Sequence, residues 1–224
     1  MADRRYYEAY DLRYRQVHEK GLAWFSGAPT PVVAQVLEKY AIAPECPMLE
    51  IGCGEGNDAA FLLERGCDLL ATDVSPAAVD FCRAKYPLWA DCFRTLDALK
   101  DPLDQRFGFI YAVAVLHMLV PDADRHALLT FIREHLTEQG VGLLVVMGDG
   151  EVQRATDVGT AFDIQTRTHE ASGQTVEIAS TSCRIVTREE LCREIGQAGL
   201  AVAEMGSAVW DGTAFAMFAV VKRQ

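Results

Sequence analysis

The stretch Leu49-Glu50-Ile51-Gly52-Cys53-Gly54-Glu55-Gly56-Asn57 decides how the chain folds. A short apolar run ends here in three alternating glycines, and an amphipathic pattern starts at Asn57. Glycines at a strand-to-helix turn permit positive φ and let a ligand approach the backbone closely. The helix that follows offers free N–H groups at its start. The spacing is G-x-G-x-G rather than G-x-G-x-x-G, with Asn57 in the sixth position, which weakens a pyrophosphate-binding reading. Glu50 points the same way, since a carboxylate beside the loop repels phosphate and can hold an amino group.

Outward from this loop, strands and helices alternate. Residues 48–53 form a strand, 57–65 a helix stopped by Gly66, and 68–73 a second strand. Ser75 caps a helix with Pro76 at its start, ending near Tyr86-Pro87. A weaker strand follows at 92–95 and a long apolar one at 107–115. Residues 124–138 read as a helix ended by Gly140, and 141–147 as a strand buried on both faces, given its unbroken apolar run. Thr187-Arg-Glu-Glu190 is a capping box opening a helix to Gly199. Strands at 201–210 and 215–221 flank a turn at Asp211-Gly212. Strands separated by helices imply βαβ units and a parallel sheet, an α/β, Rossmann-like, doubly wound fold. The last two strands have no helix between them and form an antiparallel pair. Residues 150–186 break the pattern: they are polar, only 175–186 reads as strand, and they are expected to be an insertion next to the functional site. On the other side of the loop, residues 1–46 read as a helical lid on the domain at 47–224, with Tyr7, Tyr10 and Tyr14 on one helix face and a second helix capped by Thr30 with Pro31 first.

The 224 residues are 50% hydrophobic and 24% charged, which excludes a disordered chain. No apolar run reaches the ~20 residues of a membrane span, and the basic N-terminus has no apolar core behind it, so a cytoplasmic location is expected. The net charge of −11 argues against a nucleic-acid partner. Seven cysteines without a C-x-x-C and five scattered histidines give no disulfide framework and no metal motif.

Two further acids lie in register with the loop. Asp73 ends the second strand, about 20 residues past the first glycine, where an acid chelates ribose hydroxyls in doubly wound folds. Asp97-Ala98 follows the third strand, where a carboxylate can accept from an adenine amino group. No basic residue is placed for phosphate, so the set suits an adenosine carrying an amino acid.

Residues 48–223 resemble the class I S-adenosylmethionine (SAM)-dependent methyltransferase family. The resemblance rests on Leu49-Glu50-Ile-Gly52-Cys-Gly54-Glu-Gly56, on Asp73 in Ala-Thr-Asp-Val-Ser, on Asp97-Ala98, and on Tyr111-Ala112-Val-Ala-Val-Leu-His117-Met. Gly108 departs from the acid many members carry at the start of the fourth strand. Trp24-Phe25 before Gly27-Ala-Pro-Thr-Pro31 is faintly similar to the thiopurine and tellurite methyltransferase branch. The resemblance implies a seven-stranded sheet with an antiparallel last strand. It implies SAM as methyl donor, leaving S-adenosylhomocysteine (SAH), held by Glu50, Gly52, Cys53, Gly54, Gly56, Asn57, Asp73, Val74, Asp97, Ala98 and Ala112.

The acceptor is expected to be a small molecule, attacked in line, with the protein supplying proximity and alignment. His117 is the candidate base if one is needed. Tyr10, His18, Trp24, Phe25, Asp149 and Glu151 are candidate acceptor contacts, and aromatic faces suit a cationic sulfonium. Tyr14 and Arg15, or Arg13, are candidates for the methionyl part of the donor, Arg15 or Arg13 through its carboxylate. No membrane partner is expected, and the chain is expected to act as a monomer or homodimer. Two competing readings are a non-catalytic SAM-binding regulator and a nicotinamide-dependent oxidoreductase, the latter opposed by Glu50.

Overall fold

The computed structural model describes residues 5–24, 28–169, 172–210 and 213–224. Phe25 and the turn at Asp211-Gly212 lie outside the described residues. In chain order the elements are α1 (Ala9–His18), α2 (Pro31–Lys39), β1 (Met48–Ile51), α3 (Asn57–Leu63), β2 (Leu69–Asp73), α4 (Pro76–Lys85), β3 (Phe93–Thr95), β4 (Phe107–Val113), α5 (Asp122–His135), β5 (Leu136–Met147), β6 (Arg154–Ala155), β7 (Ile164–Thr168), β8 (Thr175–Ala179), β9 (Arg184–Ile185), α6 (Arg188–Gln197), β10 (Leu200–Trp210) and β11 (Thr213–Arg223).

Seven strands make one sheet in the order β10-β11-β5-β4-β1-β2-β3. β1 pairs parallel with β2 and β4, and all four of its residues are buried, as a central parallel strand requires. Alternate residues feed two cores. Leu49, Ile51 and Ile110 face Leu128, Ile132 and Leu191, whereas Met48, Phe109 and Tyr111 face Val36, Leu62 and Val79. β11 is antiparallel to both neighbours, β5 and β10. The order reverses at β1 and β4, and a doubly wound sheet binds its ligands at the carboxyl ends of the strands there.

Two local expectations are corrected. α5 stops at His135, not at residue 138, because Leu136 turns into extended backbone, buries fully and pairs with Phe107. The segment 150–186 holds two small antiparallel pairs, β6 with β9 and β7 with β8. β7 has no buried residue, so it carries no apolar signature.

The N-terminal segment is built into this frame. Asp11 accepts from the Ser75 hydroxyl at 2.8 Å and the Ala77 N–H at 3.1 Å, placing a carboxylate at the start of α4, where the helix dipole favours it. Arg13 donates to the Ala179 and Ser180 carbonyls, and Gln16 accepts from the Ala179 N–H. α1 and β8 therefore form one wall across the carboxyl ends of the strands.

Candidate active site

The carboxyl ends of β1 to β4 open into a cavity of about 280 Å³. Tyr7, Tyr10 and Tyr14 cover it from the N-terminal side, and Pro29, Thr30 and Pro31 close another flank. The sequence packs these tyrosines because Tyr7 and Tyr14 lie on the buried face of the segment.

The glycine loop forms the floor. Gly52 and Gly54 both hold positive φ. A Cβ on Gly54 would sit 2.7 Å from the Tyr14 phenol oxygen, and one on Gly52 would sit 2.3 Å from a Val115 methyl. Either position therefore accepts only glycine, by conformation and by space. Cys53 lines the same floor, with Cys82 behind it donating its thiol to the Gly54 carbonyl at 3.2 Å.

Three carboxylates predicted for a ligand are in place. Glu50 is 3% exposed, lines the cavity, and its Oε2 has no hydrogen-bond partner among the described residues. Burial, and then the neighbouring Asp58, push its carboxyl well above the usual range. A buried polar atom without a partner is costly, so it marks where a ligand donor fits. Asp73 accepts from the Gly54 N–H at 2.9 Å and the Ser75 N–H at 2.8 Å. Burial nevertheless pushes it up to about 6. Asp97 accepts from the Tyr7 hydroxyl at 2.8 Å and the Leu99 N–H at 3.0 Å, and pairs with Lys100 at 3.2 Å. Asn57, Val74, Ala98 and Tyr14 also line the cavity.

Other candidates are elsewhere. His117 is buried without lining the cavity; its Nδ1 accepts from the Met147 N–H at 3.3 Å. Burial, aided by Arg125, pushes it down to about 3, so it is a weak base held as a structural group. Arg15 points outward to Asp11 at 2.7 Å, and Arg13 is spent on carbonyls, so neither arginine meets a ligand carboxylate in the cavity. His18 pairs with Glu55 at 2.9 Å and stacks on Phe81 beside a shallow outer depression. The Trp24 ring lies under Arg13, and the Trp24 backbone N–H donates to Glu55 at 2.6 Å. Asp149 accepts from Glu151 and Val152 N–H groups in an exposed turn, which accounts for it; Glu151 is exposed there too. Ala112 faces the core, and Gly56 stands behind the loop against Cys82 and Tyr86. Of the acceptor candidates, Tyr10 alone lines the cavity among the described residues.

Sequence reasoning did not single out Glu55 or Asp58, and it named the segment after β4 only for its resemblance and for His117. Glu55 and Asp58 are 2% and 8% exposed and line the cavity. Asp58 accepts from the Thr30 N–H, so Thr30 meets α3 rather than capping α2 with its own side chain. Ala114 has φ of +61° immediately after β4, a strained conformation for alanine, and it also lines the cavity. Strain there turns the chain so that Val115 and Met118 face the ligand space. Only the small-apolar run before His117 hinted at this.

Known proteins resemble the chain in part of its sequence and in its fold. Residues 49–141 match a family model described as a methyltransferase domain. Hemagglutinin 1 of Eikenella corrodens is 39% identical over 83 residues, 35% of this chain and 26% of that protein. Trans-aconitate 2-methyltransferase of Methylobacterium radiotolerans is 31% identical over 100 residues, 44% of this chain and 37% of that protein. The chain spans well under half the length of the curated relatives it matches. Among solved structures, Burkholderia thailandensis 1,6-didemethyltoxoflavin-N1-methyltransferase, bound to 1,6-didemethyltoxoflavin and SAH, gives a TM-score of 0.70 over 100% of this chain and 92% of that one. At 18% identity this is a likeness of fold.

Proposed function

We propose that the chain is a class I SAM-dependent methyltransferase that methylates a small-molecule acceptor at the cavity under Tyr7, Tyr10 and Tyr14, with SAM as methyl donor; the match of residues 49–141 to a methyltransferase domain supports this. The observation that carries this reading is the meeting of the glycine loop, Asp73 and Asp97-Ala98 in one cavity with the unpartnered Glu50 oxygen.

The residues present fit the donor. Glu50 suits its ammonium, since a cation there offsets the burial that now raises the carboxyl. Asp73 keeps lone pairs for ribose hydroxyls beyond the two N–H groups it accepts. The floor at Gly52 and Gly54 leaves room for a chain to pass against the backbone, and Leu96, Ala98 and Leu99 offer an apolar slot beside Asp97 for a purine. When bound, SAM supplies an electrophilic methyl group on a sulfonium. This chain's share is to hold, align and dry the site. Tyr14, buried above Gly54, excludes water from that point. With His117 withdrawn, no described histidine lines the cavity, and the acceptor is expected to be nucleophilic without a histidine base. The related protein names include an O-methyltransferase acting on magnesium-protoporphyrin and an N1-methyltransferase acting on didemethyltoxoflavin, so the acceptor atom is assigned by experiment.

That experiment is turnover of isotopically labelled SAM against a mixed small-molecule panel, reading product masses. A labelled product fixes acceptor and atom. Tight SAM and SAH binding with no labelled product from any class favours a SAM-binding regulator. A melting temperature that responds to NAD and to neither SAM nor SAH overturns the reading.

A further inference from the structure

Resting on the methyltransferase reading above, we infer that the acceptor pocket takes an uncharged or cationic molecule carrying hydrogen-bond donors on an apolar body, and rejects carboxylates. If Glu50, Asp73 and Asp97 serve the donor, what remains of the cavity wall is still rich in acceptors. Glu55 and Asp58 add two buried carboxylates. The Tyr10 hydroxyl donates to the Ser182 carbonyl at 2.7 Å, and the Tyr7 hydroxyl donates to Asp97. Each phenol has given away its only proton, so its oxygen offers a ligand only lone pairs. Burial pushes Tyr10 up to about 12, so that proton stays in place at neutral pH.

Positive charge lies outside. No lysine, arginine or histidine among the described residues lines the cavity. Arg13, three residues past Tyr10, is turned to the β8 carbonyls. Arg5 lies over the Tyr7 ring at 5.8 Å and Lys100 pairs with Asp97, which places both at the Asp97 end. An anionic acceptor would thus meet like charge, and no donor from Tyr7 or Tyr10, in a site of low dielectric, where both cost most; the Tyr14 hydroxyl and the Asn57 amide are neutral side-chain donors left to it. An N–H or O–H group meets lone pairs, and a cation meets carboxylates and tyrosine faces. Pro29, Pro31, Met118 and Val209 supply the apolar remainder.

The test is calorimetric binding to the SAH-loaded full chain. Three probes share one scaffold: quinoline bearing an aminomethyl, a hydroxymethyl or a carboxylate group at the same carbon. Trans-aconitate serves as a second anion. The amine and the alcohol are expected to bind at least tenfold more tightly than either anion. Glu55→Gln and Asp58→Asn, made separately, are expected to narrow the amine-to-carboxylate gap. The ranking with the unmodified chain decides the matter if a variant does not fold. A carboxylate that binds as tightly as the amine or alcohol overturns the inference, as does failure of both to bind. Failure of the underlying reading looks different, because SAH itself then gives no heat of binding.

Discussion

Asp73 holds the glycine loop with both of its oxygens, and in the proposed reading the same two oxygens take the ribose of the donor. Asp73→Ala removes the acceptor of two N–H groups, those of Gly54 and Ser75, so it is expected to loosen the loop as well as weaken SAH binding. Each buried donor left alone costs about 1–3 kcal/mol, readable as a lower urea midpoint in the free protein. The pH dependence of binding has a definite sign. If Asp73 is the ribose ligand, the ribose hydroxyls donate to it and favour its charged form, whereas burial in the free protein pushes it up to about 6. Binding therefore releases a proton, and affinity for SAH is expected to rise roughly tenfold between about pH 5 and 7. Glu50, also raised, acts in the same direction through the ammonium. Isothermal titration across that range checks it, and a flat profile would contradict ionised Asp73 as the ribose ligand. Gly54→Val is expected to abolish the SAH-induced rise in melting temperature, because its side chain needs the space of the Tyr14 phenol. The acids at 50, 73 and 97 were legible because each sits at a strand end fixed by local pattern. Glu55 and Asp58 were not, since their partners His18, Trp24 and Thr30 come from elements 28 to 37 residues away.

At the scale of elements, the 3₁₀ turn Leu116–Met118 is held from outside by the Ser182 hydroxyl, which donates to the Met118 carbonyl at 2.7 Å, and by Arg125, the larger anchor. Arg125 in α5, 1% exposed, donates to the Leu116 and Leu119 carbonyls and makes a two-pronged pair with Glu194 in α6. This fixes Met118 and Leu119 at the cavity wall. Arg125→Met leaves Glu194 buried with only the longer contact to Arg184 at 3.6 Å, a loss expected at about 3 kcal/mol in urea unfolding, much of it recovered by adding Glu194→Leu. Arg125 and Glu194 are both ordinary helix residues by pattern, and nothing in the sequence pairs them. α1 invites a different measurement. It is tied to α4 through Asp11 and to β8 through Arg13, and it carries Tyr10 and Tyr14 over the cavity. Amide exchange in residues 9–18 is expected to slow when SAH binds, and Asp11→Ala to speed it in the free protein. Equal exchange with and without SAH would make α1 fixed packing. The helix itself was legible from its tyrosine spacing. Its partner β8 was half legible, since buried residues alternate with exposed ones there, and β7 was hidden because both of its faces meet solvent.

At the scale of the whole molecule, the net charge of −11 surrounds a cavity that itself holds carboxylates. SAM carries one net positive charge and SAH none. Association of SAM, followed by fluorescence stopped flow, is expected to slow with added salt more steeply than that of SAH. The charge balance was readable from composition, whereas its concentration at the cavity depends on how α1 turns its arginines away. The sheet order also sets a timetable for synthesis. β3, β2, β1, β4 and β5 can all pair once residue 147 is made. β10 cannot join them, because the strand between it and β5 is β11, the seventh to be made. Until Thr213–Arg223 leaves the ribosome, β5 presents an open edge of apolar strand, residues 141–146 all buried in the finished fold, and β10 has no neighbour in the sheet. The nascent chain is therefore most exposed to wrong pairing just before the last strand arrives, and that interval is where a chaperone would have most to protect.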